Sequence, residues 1–215
     1  VGEVGEVIEA SDAFEQTISI LEVSPGHGSA SVPSQGTWSE AAYVELTNRT
    51  NRLIEFSDGV IEALPMPTQR HQMVLLTLYR VLFAFVTEHA PGGVVLLAPL
   101  RVRLWEGKIR EPDLMVMLAE HADRRGEAFW EGADLVMEVV SPDDPRRDLV
   151  QKREEYARGG IPEYWIVNPQ TETITVLWLE DGHYQEPGTF PRGAVARSVL
   201  LAGLEVEVNS VFAQV

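Results

Sequence analysis

"LVMEVVSPDDPRRDLVQKREEYARGGIPEYWIVNP", residues 135–169, decides the architecture. The stretch opens on a valine-rich apolar run, and residues 134–140 read as a strand buried on both faces. Acidic residues then mark the start of a helix over 145–158, and Gly159-Gly160 marks its stop. A second apolar run predicts a strand over 162–168. Strand, helix and strand in this order imply a crossover between parallel neighbours. One residue breaks the pattern, because Glu138 sits in the middle of the first strand. An ionised carboxylate there is costly unless a cation or strong donors meet it.

Outward from this unit, "TWSEAAYVELT" (37–47) reads as a short helix capped by Thr37, with Glu40 completing a capping box. "RLIEFSDGVIEAL" (52–64) reads as a hairpin turning on Asp58-Gly59. Thr68 caps a long helix that runs to about His89 and stops at "APGG". One strand is expected near 94–104 and another over 108–118, followed by a polar loop (119–132). After the crossover, residues 173–186 form a hairpin turning on Asp181-Gly182. The expected fold class is α/β, a mixed central β-sheet flanked by helices. Residues 1–36 hold six acidic and no basic residues and end in a Gly/Ser/Pro-rich linker, so they read as a flexible acidic arm before a domain over 37–215.

Composition narrows the chemistry. The chain has 215 residues, 45% of them hydrophobic, enough for a sizeable core. Zero cysteines exclude disulfides, zinc–thiolate sites and thiol nucleophiles. They fit a reducing, cytoplasmic setting, as does an acidic beginning without a signal-peptide run. The longest apolar segment, residues 73–86, carries Arg80 and is too short for a membrane span. A net charge of −16 argues against loose, charge-driven binding to nucleic acid. There is no phosphate-binding P-loop and no G-x-S-x-G elbow, and the five histidines form no H-x-x-x-H pair.

Glu138 has a candidate companion in Asp113, which follows Pro112 at the start of "DLMVML". Two carboxylates on neighbouring buried strands repel each other, and a divalent cation resolves the conflict. The structural alternative is an Asp113 that caps a turn and a Glu138 that pairs with an arginine. The helix over 145–158 offers a cation. With Leu149, Val150, Tyr156 and Ala157 as its apolar face, Lys152 lies at one edge and Arg153 near the centre. Periodicity does not choose between them, and an i,i+4 pair of Lys152 with Asp148 is the plain structural reading.

The order and spacing of "RLIEFSDGVIEALPMPTQRHQ", "REPDLMVM" and "ADLVMEVVSPDDPRRDLVQKREEYARGGIPEYWIVNP" resemble the Uma-type restriction-endonuclease-like family, a branch of the PD-(D/E)XK nuclease superfamily. The resemblance covers roughly residues 37–190. It implies a restriction-endonuclease-like domain, a magnesium or manganese site, a DNA substrate and a homodimer. It maps the PD element onto Pro112-Asp113 and the second acid onto Glu138, making Asp113 and Glu138 the metal ligands. The superfamily lysine, two residues after the acid, is replaced here by Val140. The Uma-type pattern instead takes its lysine from the following helix, which selects Lys152. Glu55 is implied as a further member of the metal shell and His71 as a substrate contact. Tyr164 and Trp165 read as sheet packing. The implied activity is metal-dependent hydrolysis of phosphodiester bonds; the alternative is a dimeric interaction protein that keeps the fold without the chemistry.

Overall fold

The computed structural model describes residues 33–50, 52–142 and 145–213, which fall into two compact units. Most of the acidic arm expected over 1–36 therefore lies outside the described residues.

The first unit comprises described residues up to Met66 together with 107–109. Helix α1 (Glu40–Thr47) precedes a hairpin of β1 (Ile54–Ser57) and β2 (Val60–Ala63). The turn falls where expected, with Asp58 and Gly59 both at positive φ, the conformation a two-residue hairpin loop requires. Residues Lys108 and Ile109 of β5 (Lys108–Arg110) pair antiparallel with β1. Tyr43, Leu46, Ile54, Phe56, Ile61 and Ile109 form a small core. The helix cap differs from the expectation. Ser39, not Thr37, accepts the Ala42 amide, while the Thr37 hydroxyl donates to the Ser34 carbonyl. Glu40 does not close a capping box; its carboxylate accepts the Gly107 amide at 2.6 Å. The last linker residues are tied down, since the Gln35 side chain bonds both backbone groups of Ile61.

The second unit holds the remaining described residues and is built on a mixed sheet. Its strands are β3 (Val94–Leu97), β6 (Leu114–Met117), β8 (Leu135–Val139), β9 (Glu163–Asn168), β10 (Thr173–Glu180) and β11 (His183–Pro191). They lie in the order β11-β10-β9-β8-β6-β3. Only β8 and β9 run parallel within it, which is the crossover expected from residues 134–168. One face is covered by α2 (Gln69–His89), by the short pair β12 (Val195–Arg197) and β13 (Glu205–Glu207), and by α4 (Val208–Phe212). On α2 the buried residues Val74, Leu75, Leu78, Leu82 and Val86 follow helical spacing, and Thr68 caps it as expected. The other face carries Val102 of β4 (Val102–Trp105), Trp130 of β7 (Trp130–Glu131) and Tyr156 of α3 (Lys152–Arg158). Strands β4 and β7 pair parallel.

Two strands are shorter than expected because prolines interrupt them. The run expected near 94–104 divides around Pro99, and the one over 108–118 divides around Pro112. Proline offers no N–H to a ladder. Asp113 is thereby left just before β6 begins. The expected helix over 145–158 also divides. Residues Arg147–Gln151 form a π-helical turn, and only Lys152–Arg158 continue as α-helix. Its expected apolar face is wrong in part: Leu149 and Val150 are 39% and 48% exposed. The side chains this segment buries are Asp148, Lys152 and Tyr156, four residues apart. Among the described residues no helix is long and apolar enough to cross a membrane.

Candidate active site

The register of β6 against β8 brings the two expected carboxylates together. The ladder ends on the pair Leu114–Met137, so Asp113 lies just beyond it, beside the end of β8 that carries Glu138. Glu138 lies on the same face as Val136, which α3 also covers. Asp113 Oδ2 accepts the Val139 amide at 2.8 Å, fixing the carboxylate to the end of β8.

Glu138 is 2% exposed, and its partners include two side chains from the helix after β8. The Tyr156 hydroxyl donates to Oε1 at 2.5 Å, and Lys152 Nζ lies 2.9 Å from Oε2. A lysine and a phenol are thus among the partners of Glu138. Lys152 Nζ also lies 3.1 Å from Asp148 Oδ1. Asp148 Oδ2 in turn accepts the Ser141 amide at 3.3 Å. Arg153, the competing helix cation, is on the outside, 4.0 Å from Glu186.

His71 enters from the first turn of α2, its Nε2 lying 3.0 Å from Asp113 Oδ2. Burial pulls its pKa down. The hydrogen bond to Asp113 and the charges of Asp113, Glu138 and Asp148 outweigh that, so the pKa is raised above its ordinary 6.5. The imidazolium form therefore persists to higher pH than in a free imidazole. Its Nδ1 is buried and has no hydrogen-bond partner among the described residues.

Asp113, Glu138, Lys152 and His71 are thus gathered at one end of the sheet. Glu55, expected as a further member, belongs to the first unit, where β1 buries it fully opposite Glu62. Asp148 and Tyr156 are members that reading the sequence did not assign to the site. Their signal was present as Asp148, Lys152 and Tyr156 at four-residue intervals, a polar stripe on one side of a helix. Leu149 and Val150 offer a competing apolar side in the same segment, and that side masks the stripe.

A model of the Uma2 family, described as "Putative restriction endonuclease", matches residues 40–209. The chain belongs to the Uma2 family. Among solved structures it is similar to "a putative nuclease belonging to DUF820" from Anabaena variabilis, with a TM-score of 0.63 at 18% identity. That likeness covers 79% of this chain and 97% of the other, and it supports the fold. No curated protein matches.

The donor set of this Uma2 chain can be weighed against the magnesium-type ion that the family pattern implies. Among the described residues no three or more His, Asp or Glu side chains form a ready metal cage. A magnesium ion does not need one, since it is held by one or two carboxylates with water and substrate phosphates completing the octahedron. Asp113 and Glu138 supply that pair. Both described side-chain contacts of Asp113 fall on Oδ2, which leaves Oδ1 as the oxygen to offer. The cluster also sets the carboxylates of Asp113, Glu138 and Asp148 beside Lys152 and His71. The residues fit the ion.

Proposed function

We propose that this Uma2 chain is a metal-dependent endonuclease that hydrolyses phosphodiester bonds, with DNA as its substrate. The reading rests above all on the placement of Asp113 beside the end of β8 that carries Glu138, with Asp148, Lys152 and His71 gathered around the two. These two would hold magnesium, or manganese in its place. When bound, such an ion supplies Lewis acidity toward a phosphoryl oxygen and toward a water nucleophile.

The chain's own groups carry the rest. Tyr156 and Lys152 grip Glu138 from both oxygens and hold it oriented in a buried setting. The Lys152 ammonium, kept beside Glu138 by Asp148, stabilises negative charge developing on the phosphoryl group. His71 fixes Asp113 through Nε2. Its Nδ1–H, in the imidazolium form, is a buried donor lacking an acceptor, the group a substrate phosphate oxygen would satisfy.

The test is cleavage of single- and double-stranded DNA and RNA with magnesium or manganese. Wild type is compared with Asp113→Asn, Glu138→Gln and Lys152→Met, each checked for folding by circular dichroism. Loss of one charge-stabilising group is expected to lower the rate by about 10²–10³-fold. A second reading, a nuclease-like scaffold used for binding, draws on one feature: both oxygens of Glu138 are already engaged within the protein. A wild type that binds metal but cleaves no nucleic acid would establish that reading instead.

A further inference from the structure

Helix α3 brings Lys152 and Tyr156 to Glu138, and these two contacts leave a seven-residue helix on one side. Successive α-helical residues are set about 100° apart, so Lys152 and Tyr156 differ by only about 40° round the axis. A lysine also reaches its partner through a flexible four-carbon stem. Contacts of this kind on a single side let a short helix roll about its axis. Glu155 supplies a tie on another side, about 60° from Lys152 and about 100° from Tyr156. Its carboxylate meets the guanidinium of Arg110, where Nε donates to Oε2 at 2.7 Å and Nη2 to Oε1 at 2.9 Å. Gln151, one turn back, also donates to Oε1 at 3.2 Å.

Arg110 is fully buried, and the Glu155 side chain is 13% exposed. Taking a guanidinium out of water is costly, and a buried ion pair adds little stability over apolar side chains of similar volume. What the pair has that apolar packing lacks is direction. Two N–H···O bonds from a rigid planar fork fix both the separation and the angle of the groups they join. The groups joined here are those of the candidate site. Arg110 stands three residues before Asp113, with Pro112 between them holding its own φ fixed. Glu155 stands on the helix that carries Lys152 and Tyr156.

We propose that Arg110 and Glu155 are positioning residues: their bidentate pair locks the rotation of α3 against the segment that carries Asp113, and so seats the Lys152 ammonium and the Tyr156 hydroxyl on Glu138. The consequence for catalysis rests on the nuclease reading, whereas the consequence for the seat of Lys152 does not.

The test replaces the pair as a whole in the full-length chain. Arg110→Met combined with Glu155→Leu keeps apolar bulk in place of the fork and leaves no buried charge stranded. Arg103→Met is the control, since it removes another bidentate pair, the exposed one with Glu131. Folding is checked by circular dichroism. The two readouts are the NMR signals of the Lys152 ammonium and the steady-state kinetics of DNA cleavage. In the double variant the Lys152 signals should shift, and kcat should fall by about 10–100-fold with KM little changed, as expected when a reacting group is misplaced by about 1 Å. Arg103→Met should leave both at their wild-type values. Should the double variant not fold, Glu155→Gln, at the less buried end of the pair, is read by the same criteria. The proposal is overturned if a folded variant keeps either the Lys152 signals or the kcat of wild type, for the pair is then replaceable packing. It is equally overturned if Arg103→Met shows the same changes. A wild type inactive with every metal and substrate would instead defeat the nuclease reading, and the Lys152 signals alone would then decide the role of the pair.

Discussion

Replacing Lys152 by methionine keeps the reach of the side chain and removes its charge. The ammonium lies 2.9 Å from Glu138 and 3.1 Å from Asp148, carboxylates that are 2% and 4% exposed. Removing one partner from a buried pair costs about 3–5 kcal/mol, because the charge left behind is uncompensated. Two contacts soften the loss here. The Tyr156 hydroxyl still donates to Glu138, and the Ser141 amide still donates to Asp148. Hydrogen bonds to charged groups contribute about 1.5–3 kcal/mol each, so neither carboxylate is left bare. The expected loss therefore sits near the lower end, about 3 kcal/mol. Urea denaturation at neutral pH in a chelating buffer measures it. With a slope of about 2 kcal/mol per molar, the midpoint falls by about 1.5 M. Adding Glu138→Gln closes a double-mutant cycle. Its combined loss should fall short of the sum of the single losses by about 1–3 kcal/mol, since the second change removes the charge the first one stranded. A Lys152→Met chain within about 0.5 kcal/mol of wild type would refute the coupled buried pair. So would single losses that simply add.

Three further outcomes follow from the geometry. Magnesium at about 100 times its Kd should stabilise wild type by about 2.7 kcal/mol, and Asp113→Asn should abolish that gain in a thermal-shift titration; an undiminished gain removes Asp113 from the ligand set. Ser39→Ala should cost about 1 kcal/mol through loss of the α1 cap, whereas Thr37→Ala should cost about half of that or less because its hydroxyl bonds outside the helix; equal losses in chemical denaturation contradict the assignment. Glu163 is fully buried, accepting the Trp165 indole and the amides of Val199 and Leu200, yet burial outweighs these bonds and raises its pKa above 4.5. The folded chain thus holds this proton to higher pH than the unfolded chain, so its contribution is full below pH 4.5 and is lost as pH rises through the raised value. Glu163→Gln should flatten that part of the stability–pH curve, and an unchanged curve would assign the slope to other groups.

The elements that obey simple periodicity were legible in the sequence, and those that carry chemistry were legible only in part. The long helix with Thr68 at its cap, the hairpin turning on Asp58-Gly59 and the parallel pair β8–β9 all follow from local pattern. Asp113 and Glu138 were recognisable because each contradicts an apolar strand, and such contradictions need a partner in space. That they come together depends on register. Register is set by the pairing of Leu114 with Met137, a long-range fact no local window contains. The expected strand boundaries failed at Pro99 and Pro112, where the missing N–H was in plain view and was given too little weight.

The helix after β8 shows the limit most clearly. Amphipathic reading assumes that a helix buries its apolar side, and on that rule Leu149 and Val150 point inward. Tyr156 is buried as expected, but the segment also buries Asp148 and Lys152, because Glu138 lies opposite Lys152 on the strand. The best inner face of a helix is therefore a property of what it meets. One buried carboxylate on a strand is enough to invert the pattern, provided a cation and a phenol come with it. A π turn over Arg147–Gln151 precedes Lys152, and the buried Asp148 carbonyl within it accepts the Tyr164 hydroxyl from the strand beyond. The carboxylate that interrupts the apolar strand in the sequence thus also accounts for the buried polar side of the helix that follows it.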